Sequence, residues 1–353
     1  MSSEPRRGLV VAVNNADIGG GEVMALSVAT VARDLGVPTT VVGPGSPGGA
    51  VEAARSAGLS TVALAAGRGD YVRELRAWDR HHRTGVLWCA GLVPAAATAG
   101  HPDRVVQLHQ HVPARRRAVA AAAARGARLL LVPSHDLARS VRGSEVLWNW
   151  TADIAPEPAR GGAGPTVVGF LGRPGPRKGL LVLVSAIARL AQEGPAGVEL
   201  VVAGEPRFVP DDDRARTRRA LDGLGGLVRT TGWLERAEFM RLVDVVVVPS
   251  VDPEAFGLVA AEAMAAGRPV VVSDAGALPE VVGPDHPWVA GRGDPDRLAG
   301  VLREVLSAPP ASRAAAVAAA RDRWERCFAP AAGRARLEAV LTRLGLLDGA
   351  SHG

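Results

Sequence analysis

The chain has 353 residues, of which 47% are hydrophobic and 22% are charged, and these values exclude a disordered protein. The formal net charge of +5 is too small to demand a nucleic-acid partner. Aromatic residues make up only 4% of the chain, which is too few for the base-stacking surfaces of RNA-binding proteins. The two cysteines, Cys89 and Cys327, lie far apart and have neither metal-ligand nor disulfide-framework spacing. The length predicts two α/β domains of medium size.

No apolar run reaches the roughly 20 residues of a membrane span, and the run after Arg7 is too short for a signal-peptide core. We therefore expect a cytoplasmic protein without an integral membrane segment. The triplet Arg115, Arg116 and Arg117 leaves a peripheral contact with anionic headgroups open, although a solvated helix start explains it better.

Short apolar runs alternate with helix-like segments along the first half of the chain, and this alternation predicts a parallel sheet. The predicted strands are residues 8–13, 39–43, 61–64, 86–89, 104–108, 128–132 and 146–148. The predicted helices are residues 22–35, 47–57, 71–82, 114–125 and 136–141.

A stretch rich in Pro and Gly, residues 156–165, interrupts this pattern and predicts a linker. A second alternation follows, with strands predicted at 166–171, 199–203, 228–231, 245–248, 269–272 and more weakly near Trp288, and with helices that include 180–192 and 257–266. The chain is then helical and rich in alanine from 296 to about 346. We expect domains at 1–155 and 166–325, and a C-terminal helix at 326–353 that crosses back to the first domain.

Three glycines, Gly19, Gly20 and Gly21, stand between the first predicted strand and the first predicted helix. They have no side chains, so backbone N–H groups could approach an anion at the positive start of the helix. Their spacing does not match the G-x-G-x-x-G of dinucleotide-binding domains, and a plain strand-to-helix turn would also explain them. We expect Gly20 and Gly21 to lie near a phosphate group.

His109 and His111 stand at the end of the predicted strand 104–108. In alternate positions of an extended segment they would point the same way, and a histidine at a strand end is a plausible polar contact for a ligand. A structural role is the alternative for each of them. No third ligand stands at a credible spacing, so we expect no metal site.

The segment 172–179, GRPGPRKG, follows the first strand of the second domain and precedes a helix. Arg173 can bind phosphate oxygens with its planar fork, and Lys178 adds a compact point charge. Lys178 is also the only lysine among 41 basic residues. We expect the two cations to neutralise a diphosphate, with a solvated basic loop as the alternative.

Glu254 precedes the predicted helix 257–266, and Glu262 lies inside it. The neighbours of Glu262 are Ala, Met and Val, which favours burial, and a buried carboxylate needs a partner such as the two hydroxyls of a ribose. Glu254, close to the free N–H groups of the helix start, could accept hydrogen bonds from sugar hydroxyls. The alternative is that Glu254 is only an acid in the first turn of the helix and that Glu262 lies on the surface.

Taken together, these segments resemble glycosyltransferase family 4, whose members are retaining enzymes with the GT-B fold. The family's G-R-x-x-x-x-K-G and E-x7-E patterns are matched by Gly172, Arg173, Lys178, Gly179, Glu254 and Glu262, and its Gly-Gly-acid turn by Gly20, Gly21 and Glu22. Two segments depart from the family: Gln110 follows His109 where the family has an acid, and residues 276–282 match its G-x-P-E-V-V segment only loosely.

The resemblance implies two facing Rossmann-like, doubly wound parallel-sheet domains with a cleft between them and a helical C-terminal tail. Residues 1–155 would form the acceptor side, and 166–325 would bind the nucleotide sugar. The implied activity is metal-independent transfer of a hexosyl group, with retention, from a UDP- or GDP-sugar to an unidentified hydroxyl acceptor. No cofactor is expected, because the nucleotide sugar is a substrate.

The resemblance also implies roles for the site residues. Arg173 and Lys178 would hold the donor diphosphate, Glu262 would bind the ribose, and Glu254 would bind sugar hydroxyls. His109 would contact the sugar near its anomeric carbon, so His109, Arg173, Lys178 and Glu254 form the expected catalytic set. The remaining donor contacts are Gly20 and Gly21 and the N–H groups of Phe256, Gly257 and Leu258.

Asp294 and Asp296 form the D-x-D pattern of metal-dependent sugar transferases, but they stand at a helix start after a glycine loop, so we interpret Asp294 as a capping residue. Two other functions stay open: a catalytically silent GT-B partner subunit of another transferase, and a nucleotide-sugar epimerase. A silent subunit should lack the basic pair or the glutamates, and all four are present. A phosphorylase should carry a pyridoxal lysine, and the only lysine is Lys178.

Overall fold

The structure is a computed structural model that describes residues 7–14, 18–45, 49–157, 164–192 and 197–348. The chain divides into two compact units: residues 1–149 with 333–353, and residues 150–332. The first division lies before the predicted linker, of which residues 158–163 are outside the described residues, and the second lies after the predicted start of the tail. Residues 15–17, just before the three glycines, and residues 46–48, which include the start of the predicted second helix, are also outside them.

The first unit contains a seven-stranded parallel sheet in the order β3-β2-β1-β4-β5-β6-β7. Its strands are β1 (Leu9–Ala12), β2 (Thr39–Pro44), β3 (Ser60–Leu64), β4 (Val86–Ala90), β5 (Arg104–Gln107), β6 (Leu129–Val132) and β7 (Glu145–Val146). Its helices are α1 (Gly20–Asp34), α2 (Gly49–Ser56), α3 (Arg68–His81), α4 (Leu92–Ala97), α5 (Arg117–Ala124) and α6 (His135–Ser140). Every residue of the central strands β1 and β4 is buried, as expected for strands covered by helices on both faces.

The second unit contains a six-stranded parallel sheet in the order β10-β9-β8-β11-β12-β13. Its strands are β8 (Thr166–Leu171), β9 (Val198–Ala203), β10 (Val228–Gly232), β11 (Val245–Val248), β12 (Val270–Ser273) and β13 (Val289–Ala290). Its helices are α7 (Leu180–Gln192), α8 (Asp211–Asp222), α9 (Arg236–Leu242), α10 (Leu258–Ala265), α11 (Leu278–Val282), α12 (Pro295–Ser307) and α13 (Pro310–Cys327). The last helix, α14 (Pro330–Arg343), belongs from Gly333 onward to the first unit.

Branched and apolar side chains explain the core of this second unit. The valines of β11 and β12 are all buried, and Leu183, Ile187 and Leu302 of α7 and α12 pack in one hydrophobic cluster with Val168 of β8. Continuous apolar strands of this kind are typical of sheets with helices on both faces. None of the helices in the described part of the chain is long and apolar enough to span a bilayer.

The strand order places a topological switch point in each sheet, between β1 and β4 and between β8 and β11. Ligands of open α/β sheets bind outside the carboxyl ends of the strands at such points. In the second unit, residues 172–179 follow β8 and residues 249–257 follow β11, so both segments carry predicted site residues to the same edge of the sheet. The prediction of two doubly wound parallel sheets is confirmed.

The C-terminal segment is helical, as predicted. Asp294 caps α12, because its carboxylate accepts hydrogen bonds from the N–H groups of Asp296 and Arg297, both at 3.0 Å. The interpretation of the D-x-D pattern as a cap is therefore confirmed. At the end of α14, Arg343 forms two hydrogen bonds with the carboxylate of Glu145, at 2.7 and 2.9 Å, within the first unit.

Candidate active site

The loop after β8 is fixed against the segment after β11 by a close backbone approach. Residues 176–178 form a 3-10 turn, and Gly179 follows with a φ of +76°. A Cβ atom at Gly179 would lie 1.7 Å from the carbonyl oxygen of Pro249, so only glycine fits. The N–H groups of Val251 and Asp252 donate to the carbonyl of Arg177 at 3.0 and 3.2 Å. These contacts hold Lys178 beside the chain that carries Glu254.

Lys178 and Glu254 form an ion pair at this junction. The Lys178 Nζ donates to Glu254 Oε1 at 2.6 Å, and the hydroxyl of Ser250 donates to the same oxygen at 2.5 Å. The side chain of Lys178 is 40% exposed, whereas that of Glu254 is 16% exposed. The ammonium group is therefore accessible to an anionic ligand while the carboxylate is held by two donors.

Ser250 is itself held in place from the neighbouring strand. The hydroxyl of Ser273, the last residue of β12, donates to the carbonyl of Ser250 at 2.6 Å, and both serines are buried. Ser273, Ser250, Glu254 and Lys178 thus form one continuous chain of hydrogen bonds across the carboxyl ends of three strands. The sequence pattern assigned no role to either serine: Ser250 reaches Glu254 within a loop that has no regular periodicity, and Ser273 reaches Ser250 across 23 positions.

The backbone of Glu254 is fixed by the segment 275–277. The N–H of Ala277 donates to the carbonyl of Glu254 at 2.9 Å, and the N–H of Glu254 donates to Ala275 at 3.3 Å. Gly276 has a φ of +63°, and a Cβ atom there would lie 2.4 Å from the Glu254 carbonyl oxygen. The loosely matched segment 276–282 therefore has a structural reason to begin with glycine.

The other cations of the 172–179 loop differ in their surroundings. Arg177 is highly exposed and pairs with Asp252 through its Nε at 2.5 Å. Arg173 is exposed, and its side chain makes no hydrogen bond or ion pair with any residue in the described ranges. The loop thus presents the guanidinium of Arg173 to solvent at the edge of the sheet where Lys178 also lies.

Glu262 lies in α10 and is buried, as predicted. The Arg236 Nε lies 3.3 Å from Glu262 Oε1, and Oε2 is buried without a hydrogen-bond partner among the described residues. Burial raises the pKa of Glu262 above its ordinary value, and the Arg236 guanidinium partly opposes this shift. Since an unpaired buried carboxylate oxygen costs free energy, Oε2 is a natural acceptor for a ligand hydroxyl.

The start of α10 also presents donors to the same edge. The first N–H groups of an α-helix have no partner within the helix, and here they follow Phe256 and Gly257. Gly257 has a φ of +109°, and a Cβ atom there would lie 2.5 Å from Leu278. Phe256 is buried against Phe328 in an edge-on contact with ring centroids 5.3 Å apart. Packing on both sides therefore fixes the direction of the N–H groups of residues 256–258.

In the first unit, Gly21 faces the side chain of His109. A Cβ atom at Gly21 would lie 3.5 Å from three carbon atoms of His109. Both ring nitrogens of His109 are buried and have no hydrogen-bond partner in the described ranges. Burial lowers the pKa of His109 to about 4, so the imidazole is neutral at pH 7. A neutral ring with two unused nitrogens can donate and accept one hydrogen bond each.

The interpretation of His109 and His111 as a pair on one strand face is wrong. Strand β5 ends at Gln107, so the alternation of side chains along a strand does not extend to either histidine. His111 instead faces Asp136, with 3.3 Å between its Nε2 and the nearer carboxylate oxygen. Within the described residues, no group of three or more His, Cys, Asp or Glu side chains is placed to hold a metal ion.

The comparison with protein families bears on the segment that carries most of these residues. The model of the family described as glycosyl transferases group 1 matches residues 165–308. This range includes the 172–179 loop, both glutamates and Arg236. It excludes the first unit, so His109 and the glycine turn have no support from this match.

Curated relatives match over part of their length. The chain is 38% identical over 139 residues to the MMP alpha-(1->4)-mannosyltransferase of Mycolicibacterium hassiacum, covering 38% of this chain and 32% of the relative. It is 35% identical over 246 residues to the D-inositol 3-phosphate glycosyltransferase of Mycolicibacterium vanbaalenii, covering 64% of this chain and 49% of that protein. The matched part of the chain thus spans a third to a half of these relatives.

Solved structures match over nearly the whole chain. The Anabaena HepE protein in complex with UDP and glucose has a TM-score of 0.83 and 20% identity, with 95% of this chain and 99% of that chain covered. A sucrose-phosphate synthase from Thermosynechococcus elongatus has a TM-score of 0.79 and 20% identity, with 96% and 99% covered. These structures confirm the GT-B fold that the sequence predicted, and residues 165–308 match the model of the glycosyl transferases group 1 family that the sequence resembles.

Proposed function

We propose that the protein is a retaining glycosyltransferase that moves a hexosyl group from a UDP- or GDP-sugar to a hydroxyl acceptor. The observation that carries this proposal is the buried Glu262, whose Oε2 has no partner among the described residues, on the same sheet edge as the Lys178–Glu254 pair. This edge offers an acceptor for ribose hydroxyls and a cation for a diphosphate. The complex of HepE with UDP supports a nucleotide donor.

Lys178 and Arg173 neutralise the leaving diphosphate in this proposal. Lys178 is partly exposed beside Glu254, and Arg173 is exposed in the same loop, so both can reach an anion from solvent. Charge-assisted hydrogen bonds to phosphate are about twice as strong as neutral ones. They also become stronger as negative charge develops on the departing phosphate, and this lowers the barrier to transfer.

The two glutamates divide the rest of the donor between them. Glu262 accepts hydrogen bonds from the ribose through the oxygen that Arg236 does not contact. Glu254 and the N–H groups of Phe256, Gly257 and Leu258 bind hydroxyls of the sugar. In the first unit, we assign three residues to the donor as well: His109 with its neutral imidazole, Gly21, which faces it, and Gly20, which precedes Gly21.

The chemical step in this proposal retains the configuration of the sugar. The bond between the anomeric carbon and the phosphate oxygen breaks, and a bond from the acceptor oxygen forms on the same face. The proton of the acceptor hydroxyl passes to the departing phosphate oxygen. The protein's residues orient the two substrates and stabilise the charge of the leaving group.

A screen of nucleotide sugars tests this function. The protein is incubated with each UDP- and GDP-hexose in buffer containing EDTA, and mass spectrometry measures slow hydrolysis of the donor. We expect release of the nucleoside diphosphate from one donor class and, with a hydroxyl acceptor, a product of retained configuration. Turnover should persist in EDTA because Arg173 and Lys178 provide the positive charge.

Three results would count against parts of the proposal. Binding of a nucleotide sugar without any turnover would favour a silent partner subunit. Conversion of one nucleotide sugar into its epimer would favour the epimerase. Complete loss of turnover in EDTA, with recovery on adding Mg²⁺ or Mn²⁺, would contradict a metal-independent reaction.

A further inference from the structure

Trp233 is unusual among the tryptophans of this chain. The chain has seven, all within the described residues, and Trp233 is the exposed one, with 57% of its surface accessible. It lies in the loop between Gly232, at the end of β10, and the start of α9, and this place in the fold does not by itself require a tryptophan. Tryptophan is highly buried on average, so its exposure at a ligand-binding edge requires a reason.

The loops after β8, β9 and β10 lie side by side at the carboxyl edge of the second sheet. The N–H of Gly204, after β9, donates to the carbonyl of Gly232 at 2.7 Å, and the N–H of Gly172 donates to Ala203 at 3.0 Å. A Cβ atom at Gly204 would lie 2.0 Å from the carbonyl oxygen of Gly172. Gly232, the residue before Trp233, is therefore hydrogen-bonded to Gly204, and Gly204 packs closely against Gly172 of the proposed diphosphate loop.

The segment that carries Trp233 also reaches the proposed ribose acceptor. Three residues after Trp233, Arg236 begins α9 and its Nε contacts Glu262 Oε1 at 3.3 Å. One short segment thus runs from an exposed indole to the carboxylate whose other oxygen is unpaired among the described residues. In a nucleotide, the base is joined directly to the ribose, so a ribose bound at Glu262 brings its base close to this segment.

We propose that the indole of Trp233 stacks on the nucleobase of the donor. This inference rests on the proposed nucleotide-sugar donor and adds a residue that binds its base. A flat, apolar indole face suits any base, since stacking needs no particular hydrogen-bond pattern. Trp233 would therefore strengthen binding of both uridine and guanosine diphosphates, and other contacts would choose between them.

The test compares two substitutions at Trp233 by calorimetry with UDP, GDP and inorganic pyrophosphate. Trp233→Leu keeps apolar bulk but removes the aromatic face, and Trp233→Phe keeps a smaller one. Aromatic stacking on a base implies that the leucine variant binds the preferred nucleoside diphosphate about fivefold or more weakly. The phenylalanine variant should recover most of this affinity. Pyrophosphate has no base, so its affinity should be the same in all three proteins.

A control and a spectroscopic signal sharpen the test. Val119→Ala truncates another exposed apolar side chain, 49% accessible, in the first unit, and should leave nucleotide affinity unchanged. Binding of the nucleoside diphosphate should quench the tryptophan fluorescence of the wild-type protein more than that of Trp233→Leu. Pyrophosphate should produce no such difference.

The possible failures are distinguishable. If the wild-type protein binds UDP or GDP and Trp233→Leu binds it equally well, the stacking inference is wrong and the donor assignment stands. If Trp233→Leu loses affinity for pyrophosphate by the same factor, the substitution acts through the fold of the loops, and the inference is also wrong. If the wild-type protein binds neither nucleotide, the proposed function fails and the inference fails with it.

Discussion

Lys178 and Glu254 share a hydrogen bond of 2.6 Å between the loop after β8 and the segment after β11. The ion pair joins the residue proposed to bind the diphosphate to the residue proposed to bind the sugar. Lys178 and Ser250 already hold the Glu254 carboxylate, so the orientation of this carboxylate is set before the donor enters the site. Such preorganisation reduces the cost of arranging charged groups during the reaction.

The role of Ser250 is tested by Ser250→Ala. The substitution removes one of the two donors to Glu254 Oε1, so the carboxylate should be less well oriented toward the sugar. We expect a lower turnover number with little change in affinity for the free nucleoside diphosphate, because the proposed partner of Glu254 is the sugar. Steady-state kinetics and calorimetry separate the two effects. As a control, Ser185→Ala removes an exposed hydroxyl of α7 that bonds to its own helix, and should change neither quantity.

Lys178→Ala and Arg173→Ala should each reduce turnover strongly while the fold remains intact. The loss of one charge-assisted contact to the leaving group should cost about 2–4 kcal/mol of transition-state stabilisation. Arg177→Ala provides a matched control, because Arg177 belongs to the same loop but pairs with Asp252. The measurement is kcat/KM with the authentic donor, alongside circular dichroism. Near-wild-type rates for both Lys178→Ala and Arg173→Ala would rule out the diphosphate assignment.

Arg236 should set the pH range over which the nucleotide binds. Burial raises the pKa of Glu262, and the nearby guanidinium opposes that shift, so Arg236→Gln should raise this pKa further. If the ionised carboxylate binds the ribose, nucleotide affinity falls as pH decreases through the Glu262 pKa. The fall should begin at a higher pH in Arg236→Gln. Arg241→Gln, in the same helix but paired with Glu157, should titrate like the wild type.

Titrations of UDP and GDP binding between pH 4 and 8 provide this measurement. A wild-type profile in Arg236→Gln would mean that Glu262 does not control nucleotide binding through its charge.

The effect of Glu262 on folding stability depends on pH in the opposite direction to that of a salt-bridged acid. Because its pKa is raised in the folded state, its contribution to stability is present below its unfolded pKa and is lost as pH rises through the folded pKa.

His109 should make the first unit sensitive to acid. Its folded pKa is about 4, below the ordinary value of 6.5, so the unfolded chain takes up this proton first as pH falls. The stability it contributes is complete above pH 6.5 and is lost as pH falls toward 4, by about 3 kcal/mol at most. His109→Gln should remove that part of the loss.

Urea unfolding at several pH values between 4 and 7 measures this effect. Burial also lowers the pKa of His286, but this contribution is common to both proteins and cancels in the comparison. His111→Gln, which alters a histidine that faces Asp136, serves as the control. Equal acid sensitivity of the wild type and His109→Gln would show that the His109 ring is accessible to protons in the folded protein.

Local patterns allowed much of the fold to be predicted from the sequence. Continuous valine runs gave β11 and β12, because strands buried on both faces have no polar positions, and Asp294 was predicted as a cap because capping involves only the next few residues. The burial of Glu262 was predicted from its apolar neighbours in α10. Each of these signals lies within one element.

Contacts between elements could not be predicted in this way. Arg236 meets Glu262 across 26 positions, and Ser273 meets Ser250 across 23, so neither pair leaves a periodic trace in the sequence. The error at His109 and His111 had a different cause. The pairing of β5 with β6 extends no further than Gln107, so the strand ends before the first histidine. The end of a strand is set by its neighbours, and single-sequence patterns locate it poorly.

The division of roles between the two glutamates is the central claim, and calorimetry with the free nucleoside diphosphate tests it most directly. Glu262→Gln keeps the shape of the side chain but removes the charge that would accept two ribose hydrogen bonds, each worth about 1.5–3 kcal/mol. We expect its affinity for the preferred diphosphate to fall at least about tenfold. Glu254→Gln should lose turnover, because its proposed partner is the sugar, but should not weaken nucleotide binding, because the neutral side chain competes less with the diphosphate for Lys178. Equal weakening of nucleotide binding by both substitutions would contradict this account.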